Sequence, residues 1–285
     1  MHSFEYFAPE TLGEAVSLLT QNDTQATVIA GGTDLIVEMK EHIRHPDWLV
    51  DINKIPGLND LSYDDDTGLK IGALTTVRTV EQSPVVSDKY PGLFQAVSQL
   101  GSIQVRNRAT VVGNICRASP SADTPPPLIA AGARVLIWGP AGEREIQLEE
   151  FFTGPGKTVL DQGEIVTAIR VPPPPPETRR VYLKLGRRKA MELATVGVAV
   201  SLSMDGKIFR DVRIVLGAVA PTPIRALHAE TALEGQRNKD TVIKQAASQA
   251  MKESRPNSDV RSSAEYRLEM VGVLTEQAIR EAGVR

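Results

Sequence analysis

Two glycine-bearing segments carry the residue types that hold a phosphate. The first is Ala30-Gly31-Gly32-Thr33-Asp34-Leu35, directly after the apolar run Thr27-Val28-Ile29-Ala30. Adjacent glycines permit positive φ and close approach to the backbone. Consecutive exposed N–H groups in such a turn form an anion-binding nest, and a helix start behind it favours negative charge. Thr33 adds a hydroxyl, so the set suits a pyrophosphate. A plain strand-to-helix turn capped by Thr33 or Asp34 uses the same residues. The second segment is Thr110-Val111-Val112-Gly113-Asn114, followed by Ala118-Ser119-Pro120-Ser121-Ala122-Asp123 and the run Thr124 to Leu128. A glycine beside a hydroxyl and an amide again offers phosphate donors. Asp123 is an acceptor for ribose hydroxyls or a flavin edge, and a turn residue in a proline-rich loop is its competing role. A dinucleotide needs donors from two walls, so the two segments gain weight as a pair. Neither contains the Gly-x-Gly-x-x-Gly of a Rossmann site.

A third segment is Tyr182-Leu183-Lys184-Leu185-Gly186-Arg187-Arg188. In an alternating strand Lys184 points away from Leu183 and Leu185. Its ammonium is of the right type to stabilise a reduced, anionic ring, and Tyr182 is of the right type to flank one. A solvated edge strand with basic residues reads the same way. Elsewhere the chemistry is sparse. The histidines His2, His42, His45 and His228 show no metal-binding pattern and read as surface residues, so no metal ligand is expected. Cys116 is the one cysteine, which excludes an internal disulfide and any cluster or structural zinc held by this chain's thiols. Beside the second glycine segment it reads as a structural thiol near a ligand. Gly-x-Ser-x-Gly and Walker A patterns are absent, and no general base or nucleophile is expected.

Elements must position these segments. Thr11-x-x-Glu14 reads as a capping box, with Leu12, Ala15, Val16 and Leu19 at helical spacing behind it. Thr27 to Ala30 reads as a buried strand, then Ile36, Met39 and Ile43 give a second helical face. Residues 48–52, 69–73, 133–138 and 164–169 read as strands, and 91–100 as a helix. Pro172 to Pro176 cannot join a sheet interior and marks a boundary. Beyond it Val196, Val198, Val200 and Leu202 alternate, Asp205-Gly206 signals a hairpin, and Val212, Ile214 and Leu216 alternate again. An antiparallel meander is expected from 177 onward, closed by helices, the last capped by Ser262-x-x-Glu265.

The 285 residues predict two or three compact units. With 41% hydrophobic and 24% charged residues the chain is of ordinary globular composition. A net charge of −3 and a pI near 5.9 give no nucleic-acid footprint. No apolar run approaches the ~20 residues of a membrane span, and the N-terminus does not read as a signal peptide, so a cytoplasmic protein is expected.

The segments, taken in order, resemble the FAD-binding subunits of the xanthine dehydrogenase and carbon monoxide dehydrogenase family. The resemblance rests on Phe4-x-Tyr6-x-x-Pro9-x-Thr11-x-x-Glu14-Ala15, Ala30 to Leu35, Gly72-Ala73-Leu74-Thr75-Thr76, Gln104 to Thr110, Gly113-Asn114 to Leu128, and Lys184 to Arg188. It implies an α+β protein: two α/β FAD-binding subdomains of the vanillyl-alcohol-oxidase type, at 1–55 and 56–176, and a C-terminal domain with an antiparallel sheet and helices at 177–285. It implies that Val28, Ile29, Ala30, Gly31, Gly32, Thr33, Asp34 and Leu35 wrap the FAD pyrophosphate. Thr110, Gly113 and Asn114 reach it from the second wall. Ser119 and Asp123 line flavin and ribose, Leu100 and Ile165 or Val166 pack on ring faces, and Lys184 lies near the flavin. One departure stands out. The family shows two glycines before the asparagine of the second segment, and Val112 occupies the first of those positions, where a β-branched residue disfavours positive φ.

The resemblance implies electron relay inside a molybdenum hydroxylase. A large subunit holds the molybdopterin cofactor, a small subunit holds 2Fe–2S clusters, and FAD on this chain passes electrons to NAD, a quinone or another acceptor. A dimer of three-subunit units is the expected assembly. The alternative is a self-contained FAD-dependent reductase or oxidase of the same fold.

Overall fold

Short parallel strands with helices between them come first, because the apolar runs near the N-terminus are separated by helix-length amphipathic segments. The computed structural model describes residues 2–21, 25–188 and 190–284. Strand β1 (Glu5–Phe7) leads to helix α1 (Leu12–Leu19), strand β2 (Ala26–Ile29), helix α2 (Leu35–Lys40) and strand β3 (Trp48–Asp51). The three strands form one parallel sheet in the order β1-β3-β2, with Glu5 and Ala26 both paired to Trp48. Thr11 caps α1 through the Glu14 N–H at 3.2 Å.

The second sheet is antiparallel, in the order β4-β5-β10-β6-β7. Its strands are β4 (Leu61–Asp64), β5 (Gly68–Gly72), β6 (Arg134–Gly139), β7 (Gly142–Gln147) and β10 (Ile165–Val171), with a small hairpin of β8 (Phe152–Gly154) and β9 (Lys157–Thr158) before β10. Six helices lie between β5 and β6: α3 (Val77–Glu81), α4 (Pro84–Lys89), α5 (Pro91–Gln99), α6 (Ile103–Arg106), α7 (Val111–Cys116) and α8 (Pro125–Ala130). The proline run follows β10, and the buried Tyr90 hydroxyl donates to the Pro172 carbonyl at 3.1 Å.

The last sheet is an antiparallel meander of β11 (Arg179–Leu185), β12 (Val196–Asp205), β13 (Ile208–Gly217) and β14 (Ile224–Arg225). Helices α9 (Leu227–Leu233), α10 (Asp240–Glu253) and α11 (Ala264–Gly283) close the chain. Val196, Val198, Val200 and Leu202 pack with these helices in one core, and each such burial is worth roughly 1.5–3 kcal/mol. Alternation usually marks a strand with one wet face, yet Val196 to Ser203 is buried throughout. The opposite face is dry because Tyr182, Ala199 and Val215 join the core of the preceding sheet and helices. The meander is thus welded to the site-bearing region.

Three local expectations are corrected. Strand β2 is half-exposed rather than buried, because Thr27, Val28 and Ile29 form a wall of a cleft. Helix α2 stops at Lys40, since His42 adopts a left-handed conformation (φ 59°) that ends the helix, and Ile43 is left exposed. The last helix is capped one residue later than expected, by Ser263 rather than Ser262. Among the described residues no helix is long and apolar enough to cross a membrane.

Candidate cofactor cleft

Gly32 lies in the left-handed region (φ 71°), where an L side chain is strained, and this bends the chain from β2 into α2. Gly31 is pressed against the loop before α7: a Cβ there would meet the Arg108 carbonyl oxygen at 2.1 Å. Among the described residues, the backbone N–H groups of Gly31, Gly32, Thr33 and Asp34 donate to no protein acceptor. The first N–H groups of a helix lack intrahelical partners, so these four, half-exposed or exposed and bordering a cleft, are available donors for an anionic acceptor from outside the chain.

The second wall is built differently. Val111 to Cys116 is helical rather than a glycine turn. Thr110 caps it, accepting the Gly113 N–H on Oγ1 at 2.9 Å and the Asn114 N–H on its carbonyl at 3.0 Å. Gly113 has no positive φ, and Val112 is a buried helical residue, so the Val112 departure removes no left-handed position. Asn114 Oδ1 accepts from Thr124 Oγ1 at 2.6 Å, which leaves the amide NH2 as a donor.

Between the walls lies a cleft of about 570 Å3, within the range of small-molecule sites. It is lined by Val28 to Leu35, Leu100, Thr110, Gly113, Asn114, Ser119, Asp123, Ile165 and Val166. Lys184 is the one residue of the expected set that does not line it. It borders a neighbouring cavity of about 330 Å3 with Gln99, Arg187 and Arg188. Its ammonium donates to Asp123 Oδ2 at 2.8 Å, while Tyr182 donates to Asp123 Oδ1 at 2.9 Å. Asp123 is thereby paired within the protein on both oxygens. Burial raises the Asp123 carboxyl above its ordinary range, and the Lys184 charge opposes that shift. Tyr182 is fully buried and lies outside the cleft lining, so it braces Asp123 instead of flanking a ring.

Sequence reasoning missed a charged cluster at the first wall. Glu38 on α2 contacts Arg117 Nη2 at 2.5 Å through Oε1. Its Oε2 faces Arg44 Nε at 3.2 Å without hydrogen-bond alignment. Glu38, Arg44 and Arg117 all border the cleft, and burial raises the nearby Asp34 carboxyl against the pull of Arg117. Arg117 lies far from Glu38 and Arg44 in sequence, and the three match no motif. Met191, Glu192 and Leu193 at the rim were also missed. Burial pushes the Cys116 thiol up to about 12, so it is a neutral thiol on the cleft wall.

Residues 2–174 match the family described as the FAD binding domain in molybdopterin dehydrogenase, and residues 181–282 match the carbon monoxide dehydrogenase flavoprotein C-terminal domain. The chain belongs to the FAD-binding medium subunits of the xanthine dehydrogenase and carbon monoxide dehydrogenase family. Its relatives are subunits of molybdenum-containing dehydrogenases. The carbon monoxide dehydrogenase medium chain of Hydrogenophaga pseudoflava is 36% identical over 99% of this chain and 98% of that one. The xanthine dehydrogenase FAD-binding subunit of Escherichia coli O157:H7 is 34% identical over 97% and 95%. A solved carbon monoxide dehydrogenase from H. pseudoflava, in a form lacking the Mo-pyranopterin moiety, superposes with a TM-score of 0.95 at 37% identity, covering 99% of this chain and 97% of that chain. The cleft of this flavoprotein subunit fits FAD in chemistry: free N–H donors for a pyrophosphate on one side, and the apolar Leu100, Ile165 and Val166 for a ring.

Proposed function

We propose that this subunit holds FAD between the two walls and relays electrons from 2Fe–2S clusters on a small partner subunit to NAD, a quinone or another acceptor. A large partner would carry the molybdopterin cofactor and hydroxylate the substrate, in a dimer of three-subunit units in the cytoplasm. The observation that carries the reading is the row of free N–H groups at residues 31–34, opening on a cleft of dinucleotide-compatible size. These groups bind the pyrophosphate, and Thr33, the Asn114 amide and Ser119 add side-chain donors. Leu100, Ile165 and Val166 exclude water from the ring. Bound FAD supplies a carrier that takes up two electrons and releases them one or two at a time, and the protein contributes binding, orientation and electrostatics. Asp123, fixed by Tyr182 and Lys184, anchors the loop after α7 to the meander and positions Ser119.

The test is an absorption spectrum and metal analysis of the chain purified with whatever accompanies it. Flavin bands with iron and molybdenum on additional subunits are expected. Flavin on a lone chain that a small molecule reduces without partners would replace the relay with the self-contained flavoenzyme. A chain that takes up no FAD on incubation refutes the proposal.

A further inference from the structure

We propose that His2, His42 and His45 form a binding site for a divalent transition-metal ion of zinc-like preference beside the N-terminal ends of strands β1 and β3. The sequence reading left these histidines as unrelated surface residues. The structure keeps them exposed but brings them together, with one ring nitrogen from each within 4.8 Å of the others. His2 and His45 meet because of strand register. β1 and β3 run parallel with Glu5 opposite Trp48, and the Glu5 N–H donates to the Asp47 carbonyl at 2.8 Å. The segments that lead into the two strands continue this pairing, so position 2 falls beside position 45, with the two ring centroids 4.3 Å apart. His42 arrives by a different device. It occupies the left-handed position just after α2, with the Ile43 N–H bonded to the Glu38 carbonyl at 2.8 Å and its own N–H directed to the Met39 carbonyl at 3.4 Å. That is the hydrogen-bond pattern of a glycine C-cap with histidine in the glycine's place. The turn brings the His42 ring to 5.4 Å from His2 and 5.9 Å from His45.

Three imidazoles on one small patch are a donor set for zinc, nickel or copper, whereas calcium and magnesium prefer oxygen. Zinc–nitrogen bonds of about 2.0–2.1 Å put tetrahedral ligands roughly 3.4 Å apart, so the exposed rings need shift only by about an ångström. Arg44, between His42 and His45 in sequence, pairs with Glu38 at 3.2 Å. Three protein ligands leave a position for water. An ion there would tie the chain's first residues to the loop after α2, and so brace the helix whose other end carries the Gly31–Asp34 turn.

The test is calorimetric titration of untagged, FAD-loaded protein with zinc chloride, alongside His42→Asn and His45→Gln. Asparagine tolerates the left-handed conformation, so His42→Asn removes a ligand without the turn. One zinc per chain is expected, with affinity weakened roughly tenfold or more in each variant and a zinc-dependent rise in melting temperature lost in both. Circular dichroism reports whether the variants fold. If they do not, imidazole NMR signals of the unsubstituted protein decide: zinc must perturb His2, His42 and His45 and leave His228 unmoved. No saturable binding, binding that both variants retain, or perturbation of other histidines overturns the site.

Discussion

The two walls of the cleft read alike in sequence and are built in opposite ways. Each has a glycine, a threonine and a polar residue in a short span. In the first, Gly32 turns left-handed and four consecutive N–H groups stay free. In the second, Thr110 caps a helix, the Gly113 and Asn114 N–H groups are consumed, and the following Asp123 is paired on both oxygens. The first wall keeps four consecutive N–H groups without a protein acceptor, while the second gives its Gly113 and Asn114 N–H groups to Thr110 and keeps the Asn114 amide NH2 as a donor. Glycine content therefore does not tell the two walls apart. The use of their backbone donors does.

Breaking the Asp123–Lys184 pair behind the second wall should have the largest effect. The side chains of Lys184 and Asp123 are each 6% exposed, so Lys184→Met leaves a buried carboxylate without its cation. Removing one partner of a buried pair costs about 3–5 kcal/mol. Without Lys184 the carboxyl, already raised by burial, rises further. A folded-state value above the unfolded one favours the protonated form, so the variant keeps most of its stability in acid and loses it as pH rises through that value. Urea denaturation at pH 5 and pH 8 should show a deficit that grows toward pH 8. An equal deficit at both would mean that the pair contributes packing rather than charge.

The free wall should respond in binding. Gly31→Ala places a Cβ 2.1 Å from the Arg108 carbonyl oxygen, a backbone atom that cannot swing aside. The turn must move away from the second wall, and overpacking of this kind costs about 1–3 kcal/mol. Because the same displacement misaligns the N–H row, FAD affinity should fall by about tenfold to a hundredfold, read by flavin fluorescence on reconstitution. Unchanged affinity with the fold intact would remove these N–H groups from the binding account.

Much of the fold was legible because it rests on local pattern. The alternation of Val196 to Leu202, the turn at Asp205-Gly206 and the proline run each act within a few residues. What was hidden depends on partners far along the chain. Helix α7 was missed because Val111, Val112 and Ile115 read as β-formers, although Thr110 at the cap and Val111 and Ile115 four apart carried the helical signal. The dryness of both faces of β12 follows from packing of Ala199 and Val215 on another region, which no period within the strand can report. The cleft lining was legible through its ordered motifs, but the Asp123–Lys184 pair, the Glu38–Arg117 pair and the His2–His45 contact are set by tertiary register.

The smallest expected effect is the sharpest discriminator between the walls. Gly113 is helical, so alanine there gains up to about 1 kcal/mol of helix propensity. Its Cβ would come within 2.7 Å of Thr110 Oγ1, the end of a side chain able to rotate, and the lost cap costs about as much. The two effects offset each other, so Gly113→Ala should shift stability by under about 1 kcal/mol and FAD affinity by less than about fivefold. If Gly113→Ala weakened FAD binding as much as Gly31→Ala, the second wall would also need its backbone bare against the ligand. The asymmetry between free and capped donors would then be a property of the ligand-free chain, and Thr110 would have to release the Gly113 N–H when FAD binds.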